Sequence, residues 1–236
     1  MTRHLAVLAV AAVVALVAGG AVPAHAGWAD GFEYQNSPTN HGWAYPPDPG
    51  FGPDPVTSTE QARGGSRSLK FEPFHQIRYT FAQGVENAKV SAWFYDNGVY
   101  GGNSEANIGM IWDGGAQYTA LGKYQADGCF YIFDRPGTIR TSVPVSQGWH
   151  HFEWVARDGT VRLSINNTQV GSYSAQKLTS VDLVAGEVGM YVDDLEVSSV
   201  PEPASMALLA TGVVGLLPFW RRSRRRATPP GTSRAA

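Results

Sequence analysis

The feature that most limits the fold of this chain is a period of two. Apolar residues alternate with other types in Lys89–Phe94, in Val161-Leu163-Ile165 and in Val188-Met190-Val192. That spacing puts one face of an extended strand into a core and the other toward water. Asp96-Asn97-Gly98, Asp113-Gly114-Gly115, Asp127-Gly128 and Asp158-Gly159 punctuate the pattern with residues that tolerate positive φ and so reverse the chain cheaply. Between Gly27 and Val200 no stretch sustains a helical period, and no internal repeat is visible. Many strands joined by short turns predict an all-β antiparallel sandwich or jelly roll. Phe152, Trp154, Leu163, Ile165, Met190 and Val192 are its expected core residues. Tyr45–Pro55, with five prolines, is expected to hold no strand.

The two ends follow other rules. Arg3 and His4 precede an apolar run, Leu5–Ala18, and an A-x-A site, Ala24-His25-Ala26. This is the pattern of a secretory signal peptide over residues 1–26, with Gly27 as the new N-terminus after cleavage. At the other end Pro201-Glu202-Pro203 opens a segment that is apolar through Trp220 and then stops at Arg221-Arg222-Ser223-Arg224-Arg225-Arg226. Residues 204–220 would span about 25 Å as a helix, close to the roughly 30 Å of a hydrocarbon core. Trp220 suits the interface and the arginines the cytoplasmic side. A short polar tag, an apolar segment and a basic stop, over 200–226, resemble the PEP-CTERM sorting signal. The resemblance implies a membrane-embedded exosortase as partner, acting at Pro201, Glu202 and Pro203, besides the secretion translocon. It also implies transient anchoring in the inner membrane before release to the envelope or exterior. Residues 227–236 read as a disordered tail.

What lies between, 27–199, is the size of one domain with one core. It holds 11 Lys and Arg against 19 Asp and Glu, a net charge of −8, while the chain as a whole carries only −2. Such an acidic body is unsuited to nucleic acid, whose phosphates require neutralisation. Cys129 is the only cysteine, so no internal disulfide is available to an exported domain that must rely on its core or on a metal.

Three phrases sharpen the fold: Gly148–Gly159 with Trp149-His150-His151, the following Thr160–Gly171 with Asn166-Asn167, and Gly189–Val197 with Asp193-Asp194. With Asp30-Gly31-Phe32-Glu33 as a first strand and Gly65–Phe71 as a second, they resemble the concanavalin A-like, laminin-G-like jelly rolls. That resemblance implies paired first and last strands. It also implies one structural calcium near them, with Glu33, Asp193, Asp194 and Asp30 as ligands. Calcium takes six to eight oxygens and would relieve the repulsion of crowded carboxylates; the alternative is a solvated acidic surface.

The glycoside hydrolases of this resemblance carry two or three carboxylates on one strand face, and its lyases a Gln-Ile/Val-His strand; neither pattern occurs here. Nor does a nucleophile elbow, a phosphate-binding loop or a zinc-protease helix. The chain is therefore expected not to be an enzyme. His150 and His151, adjacent on a strand, face opposite ways and cannot chelate one ion. Asn166-Asn167-Thr168 matches a glycosylation sequon and reads as a hairpin turn. Aromatics near turns, Trp43, Tyr45, Tyr95, Tyr100, Trp112 and Tyr118, either stack on sugar rings or fill the core. Trp112, Asp113 and Tyr118 form the expected glycan subsite, with Trp43 and Tyr100 as further contacts. The expected protein is a non-catalytic envelope or matrix component binding an extracellular polysaccharide. The alternatives are an adhesive protein without a small-ligand site, or a divergent glycan hydrolase or lyase.

Overall fold

The computed structural model describes residues 27–46, 52, 54–99, 105–124, 128–134 and 137–200. The expected signal peptide at 1–26, the sorting segment with its expected anchor at 204–220, the expected tail at 227–236, and Tyr100 lie outside the described residues. All described residues fall within one compact unit, His25–Val200. Among them no helix is long and apolar enough to cross a membrane.

Fifteen strands follow in order: β1 Trp28–Asp30, β2 Trp43–Ala44, β3 Val56–Ser58, β4 Ser68–Phe71, β5 His75–Glu86, β6 Ala88–Asp96, β7 Ala106–Trp112, β8 Gln117–Lys123, β9 Cys129–Asp134, β10 Gly137–Pro144, β11 Gly148–Arg157, β12 Thr160–Ile165, β13 Thr168–Ser174, β14 Lys177–Ala185 and β15 Met190–Ser199. They form two antiparallel sheets, as the alternation predicts. One has eight strands in the order β13-β12-β11-β6-β15-β4-β3, with β1 also paired to β15; the other has seven, β10-β9-β8-β7-β14-β5-β2. The Gly65–Phe71 segment supplies the fourth strand rather than the second, because the short β2 and β3 intervene.

Burial alternates along β6, where Ala88, Val90, Ala92, Phe94 and Asp96 point inward. The six expected core residues are each at most 1% exposed. Burying an aliphatic or aromatic side chain of this kind contributes about 1.5–3 kcal/mol. Asn166 and Asn167 both take positive φ at the β12–β13 turn. The Asn166 side chain also accepts the His151 amide and contacts the inward His150 ring, so the sequon is built into the hairpin.

One interior feature breaks the apolar pattern. Lys123, at the end of β8, reaches Asp96, at the end of β6, at 2.8 Å, and both side chains are almost fully buried. The pair joins the two sheets through the core. Desolvated charges of this sort are tolerated only when matched.

Both ends of the unit leave from one corner. Trp28 is registered against Val197 in the antiparallel β1–β15 pair, and the Val200 amide bonds the Asn87 carbonyl beyond the β5–β6 turn.

Candidate functional site

Strand β15 changes partners halfway along one edge. Met190–Val192 pair with β4, Leu195–Val197 pair with β1, and the register against β6 shifts between Asp193 and Glu196. Asp194 sits at this irregularity with φ +46°. The gap leaves backbone amides of the 61–67 loop without strand partners, and carboxylates receive them. Asp193 accepts from the amides of Arg63 and Gly64 at 2.7 and 3.1 Å, and from that of Asp194. Glu33 accepts from the Ser66 amide and hydroxyl and from the Arg67 amide. Asp30 accepts from the Phe32 amide, the Trp43 indole and the Tyr34 hydroxyl. Gly65 sits at φ +58°, which side chains rarely adopt, and a Cβ there would crowd the Glu33 carboxylate.

All four expected calcium ligands thus gather at one corner, but not around one centre. Among the described residues, no group of three or more His, Cys, Asp or Glu side chains could hold a metal ion. Asp30, Glu33 and Asp193 each receive N–H or O–H donors instead. The Ser66 hydroxyl, with the loop amides, holds the Glu33 carboxyl below its ordinary range. Burial pushes Asp193 upward against the pull of its three amides.

The expected glycan subsite requires a larger correction. Trp112 is fully buried, because β7 points Ala106, Ile108, Met110 and Trp112 into the core, and its indole donates to Thr119 at 3.0 Å. Trp43 is 2% exposed and packs among Trp28, Phe32 and Tyr79. Asp113 accepts the amides of Gln176 and Lys177, tying the β7–β8 turn to the β13–β14 connection. Of the expected subsite rings among the described residues, Tyr118 alone is not buried; Asp113 is exposed.

Tyr118 leads to a different surface, the outer face of the seven-stranded sheet. One row across the strands reads Arg78, Asp182, Gly109, Ala120, Phe133; the next reads Gln76, Val184, Asn107, Gly122, Tyr131. Small residues form the floor between a polar side and an aromatic side. On the polar side, Gln76 donates to both Asp182 oxygens and Arg78 to one, all at 3.0 Å. The Arg78 Nε–H, shielded from water, has no acceptor among the described residues. Along the floor, Glu105 accepts from the Asn107 amide group at 2.8 Å, and Asn107 accepts from the Tyr118 hydroxyl at 3.1 Å. Burial raises the Glu105 carboxyl above its usual range. The Tyr118 ring lies across Gly109, where a Cβ would collide with the ring and its hydroxyl. On the aromatic side, Tyr124 packs edge-on to Tyr131 and Phe133 at 5.6 and 5.7 Å. Sequence reasoning missed this face, whose only legible signal was glycine and alanine at outward positions of β7 and β8.

No strand of this sheet places two carboxylates on its outer face among the described residues. A recess of about 180 Å³ elsewhere, between Trp28, Phe81, Val85 and Val197, is lined by no charged side chain.

Comparison with solved structures finds the same fold in several carbohydrate-active proteins. A Crh5 transglycosylase in complex with NAG is 10% identical, with a TM-score of 0.52, covering 75% of this chain and 86% of that one. The carbohydrate esterase vb_24B_21 from Shiga toxin-encoding bacteriophage phi24B is 12% identical, with a TM-score of 0.51, covering 71% and 95%. A sialidase is 13% identical, with a TM-score of 0.50; the match covers 75% of this chain but only 19% of the sialidase. At these identities the likeness is one of fold alone. No curated protein matches the sequence. Residues 199–226 match the PEP-CTERM protein-sorting motif, so the chain joins a two-sheet β-sandwich to a tail that implies export and processing by an exosortase-type membrane enzyme.

Proposed function

We propose that this protein is an exported, non-catalytic glycan-binding component of the envelope or extracellular matrix, released from the inner membrane by exosortase action at Pro201-Glu202-Pro203. The observation that carries the reading is the outer face of the seven-stranded sheet. The half-buried Tyr118 and Tyr124, backed by the buried Tyr131 and Phe133, stand across a floor of small residues from Gln76, Arg78 and Asp182. Sugars offer apolar ring faces to aromatic side chains and hydroxyls to polar ones, and this face supplies both chemistries side by side. The hydrogen bonds that fix Gln76, Arg78 and Asn107 reduce the cost of ordering them when a ligand binds. The absence of paired carboxylates along any one strand of this face supports binding without hydrolysis.

The test is retardation of the protein in native gels containing soluble polysaccharides, compared with Tyr124→Ala. Retardation that Tyr124→Ala weakens supports the reading. Wild-type mobility unchanged by neutral and acidic polysaccharides alike removes it. Release of reducing sugars by the wild type would make the protein an enzyme instead.

A further inference from the structure

The outer face of the other sheet carries a second set of rings. Trp149 on β11, Tyr95 on β6 and Tyr191 on β15 are registered side by side across three adjacent strands, with Lys70 of β4 next in the row. All three rings are half-buried and point away from the core. Tyr95 stands edge-on to Trp149 at 5.2 Å and to Tyr191 at 5.7 Å. Trp149 and Tyr191 are therefore two strands apart, at about 10 Å, with Tyr95 upright between them.

The row is held in place. The Tyr191 hydroxyl donates to Glu60 at 2.6 Å, and Lys70 bonds both Glu60 and Glu72 at 3.0 Å. Beside the row, the Arg63 guanidinium lies 4.2 Å over the Trp93 ring, and Lys89 pairs with Glu153 at 2.7 Å. Lys70 is thus matched by Glu60 and Glu72 and Lys89 by Glu153, while Glu196 and Arg162, exposed in the neighbouring rows, add one charge of each sign. Charges matched in this way give little net attraction for a charged polymer, and they offer donors and acceptors to hydroxyl groups.

We propose that the Trp149–Tyr95–Tyr191 row is a second glycan-binding surface, taking a neutral polysaccharide chain laid across the strands. Building on the function proposed above, this makes the sandwich bivalent. One chain lies on each outer face, and the domain bridges them. Two linked sites raise the effective affinity for a matrix far above that of either alone.

The experiment uses the full-length chain in detergent, with hydroxyethyl cellulose and dextran as neutral probes and alginate as the acidic one. Binding is read by retardation in native gels and bridging by light scattering of the mixtures. Wild type is expected to be retarded by a neutral probe and to raise its scattering. Trp149→Ala should bind about tenfold more weakly, the effect of losing one aromatic contact. It should also abolish the scattering, while Trp149→Phe restores both; melting curves establish that each variant is folded. If Trp149→Ala leaves retardation and scattering unchanged while Tyr124→Ala reduces them, the second surface is overturned and the first stands. If Trp149→Ala removes all binding and Tyr124→Ala none, the face proposed above fails and the row is the sole site, which overturns bivalency. Retardation by alginate alone overturns the neutral ligand. Scattering by the protein alone that Trp149→Ala abolishes assigns the row to a second copy of the chain. No retardation by any probe overturns both readings.

Discussion

The corner where β15 passes from β4 to β1 and the outer face of the seven-stranded sheet both hold hydrogen-bonded carboxylates, but they hold them differently. At the corner, Asp193 and Glu33 are held largely by backbone amides, with the Ser66 hydroxyl added. On the face, Asp182 and Glu105 bond side chains, Gln76, Arg78 and Asn107. Amide partners are fixed by the fold and close a gap in a sheet. Side-chain partners leave polar groups of the face held in place, as the proposed glycan-binding role requires.

The largest expected difference comes from removing a carboxylate at the corner. Asp193→Ala leaves the part-buried amides of Arg63 and Gly64 without their acceptor and should cost about 1–3 kcal/mol, with glycan binding unchanged in the folded fraction. A denaturation midpoint equal to wild type would dissolve the contrast. Next is Tyr124→Ala on the face, expected to weaken polysaccharide binding about tenfold while leaving the melting temperature nearly where it was. A large loss of stability with full binding would move that residue to the structural side.

A subtler effect separates two carboxylates within the corner itself. The Glu33 carboxyl is lowered, so its stabilisation is present above the ordinary carboxylate range and lost as pH falls through its folded value. The Asp193 carboxyl is raised by burial, so wild type gains stability as pH falls through its folded value. On acidification, the advantage of wild type over Glu33→Gln should therefore shrink, while its stability relative to Asp193→Asn should rise. Parallel slopes in urea midpoints measured across the acid range would contradict this. The smallest effect is expected from calcium: the melting midpoint should be the same in EDTA and in millimolar CaCl₂. A rise in calcium that Asp193→Asn removes would give the corner a cation after all.

The period of two carried the fold well. It placed Phe152, Trp154, Leu163 and Ile165 in the core, and Asp30–Glu33, Gly65–Phe71 and Asp193-Asp194 do meet at one corner. The purpose of that meeting was not legible. A run of carboxylates looks the same in sequence whether a cation or a row of amides will satisfy it, and the amides that meet Asp193 and Glu33 follow from the partner change along β15. The rings misled for a related reason. Trp112 stands beside a glycine turn, as an exposed ring would, but strand phase turns it inward. Tyr131 and Phe133 look like core and are buried, but in a second cluster with Ala120, on the side of β9 opposite Phe130 and Ile132. The Lys123–Asp96 pair joins residues 27 positions apart that no local pattern connects.

The shared exit of the two chain ends has a mechanical consequence. A load applied at Val200 acts along β15, which lies inside its sheet with β6 on one side and β4 and β1 on the other. Such a pull shears many ladder hydrogen bonds at once. A load drawn between Gly27 and Val200 instead peels β1 from β15 across only three registered pairs, one at a time. Held by its C-terminal end alone, the sandwich resists force as a unit; pulled by both ends, it opens at its first strand.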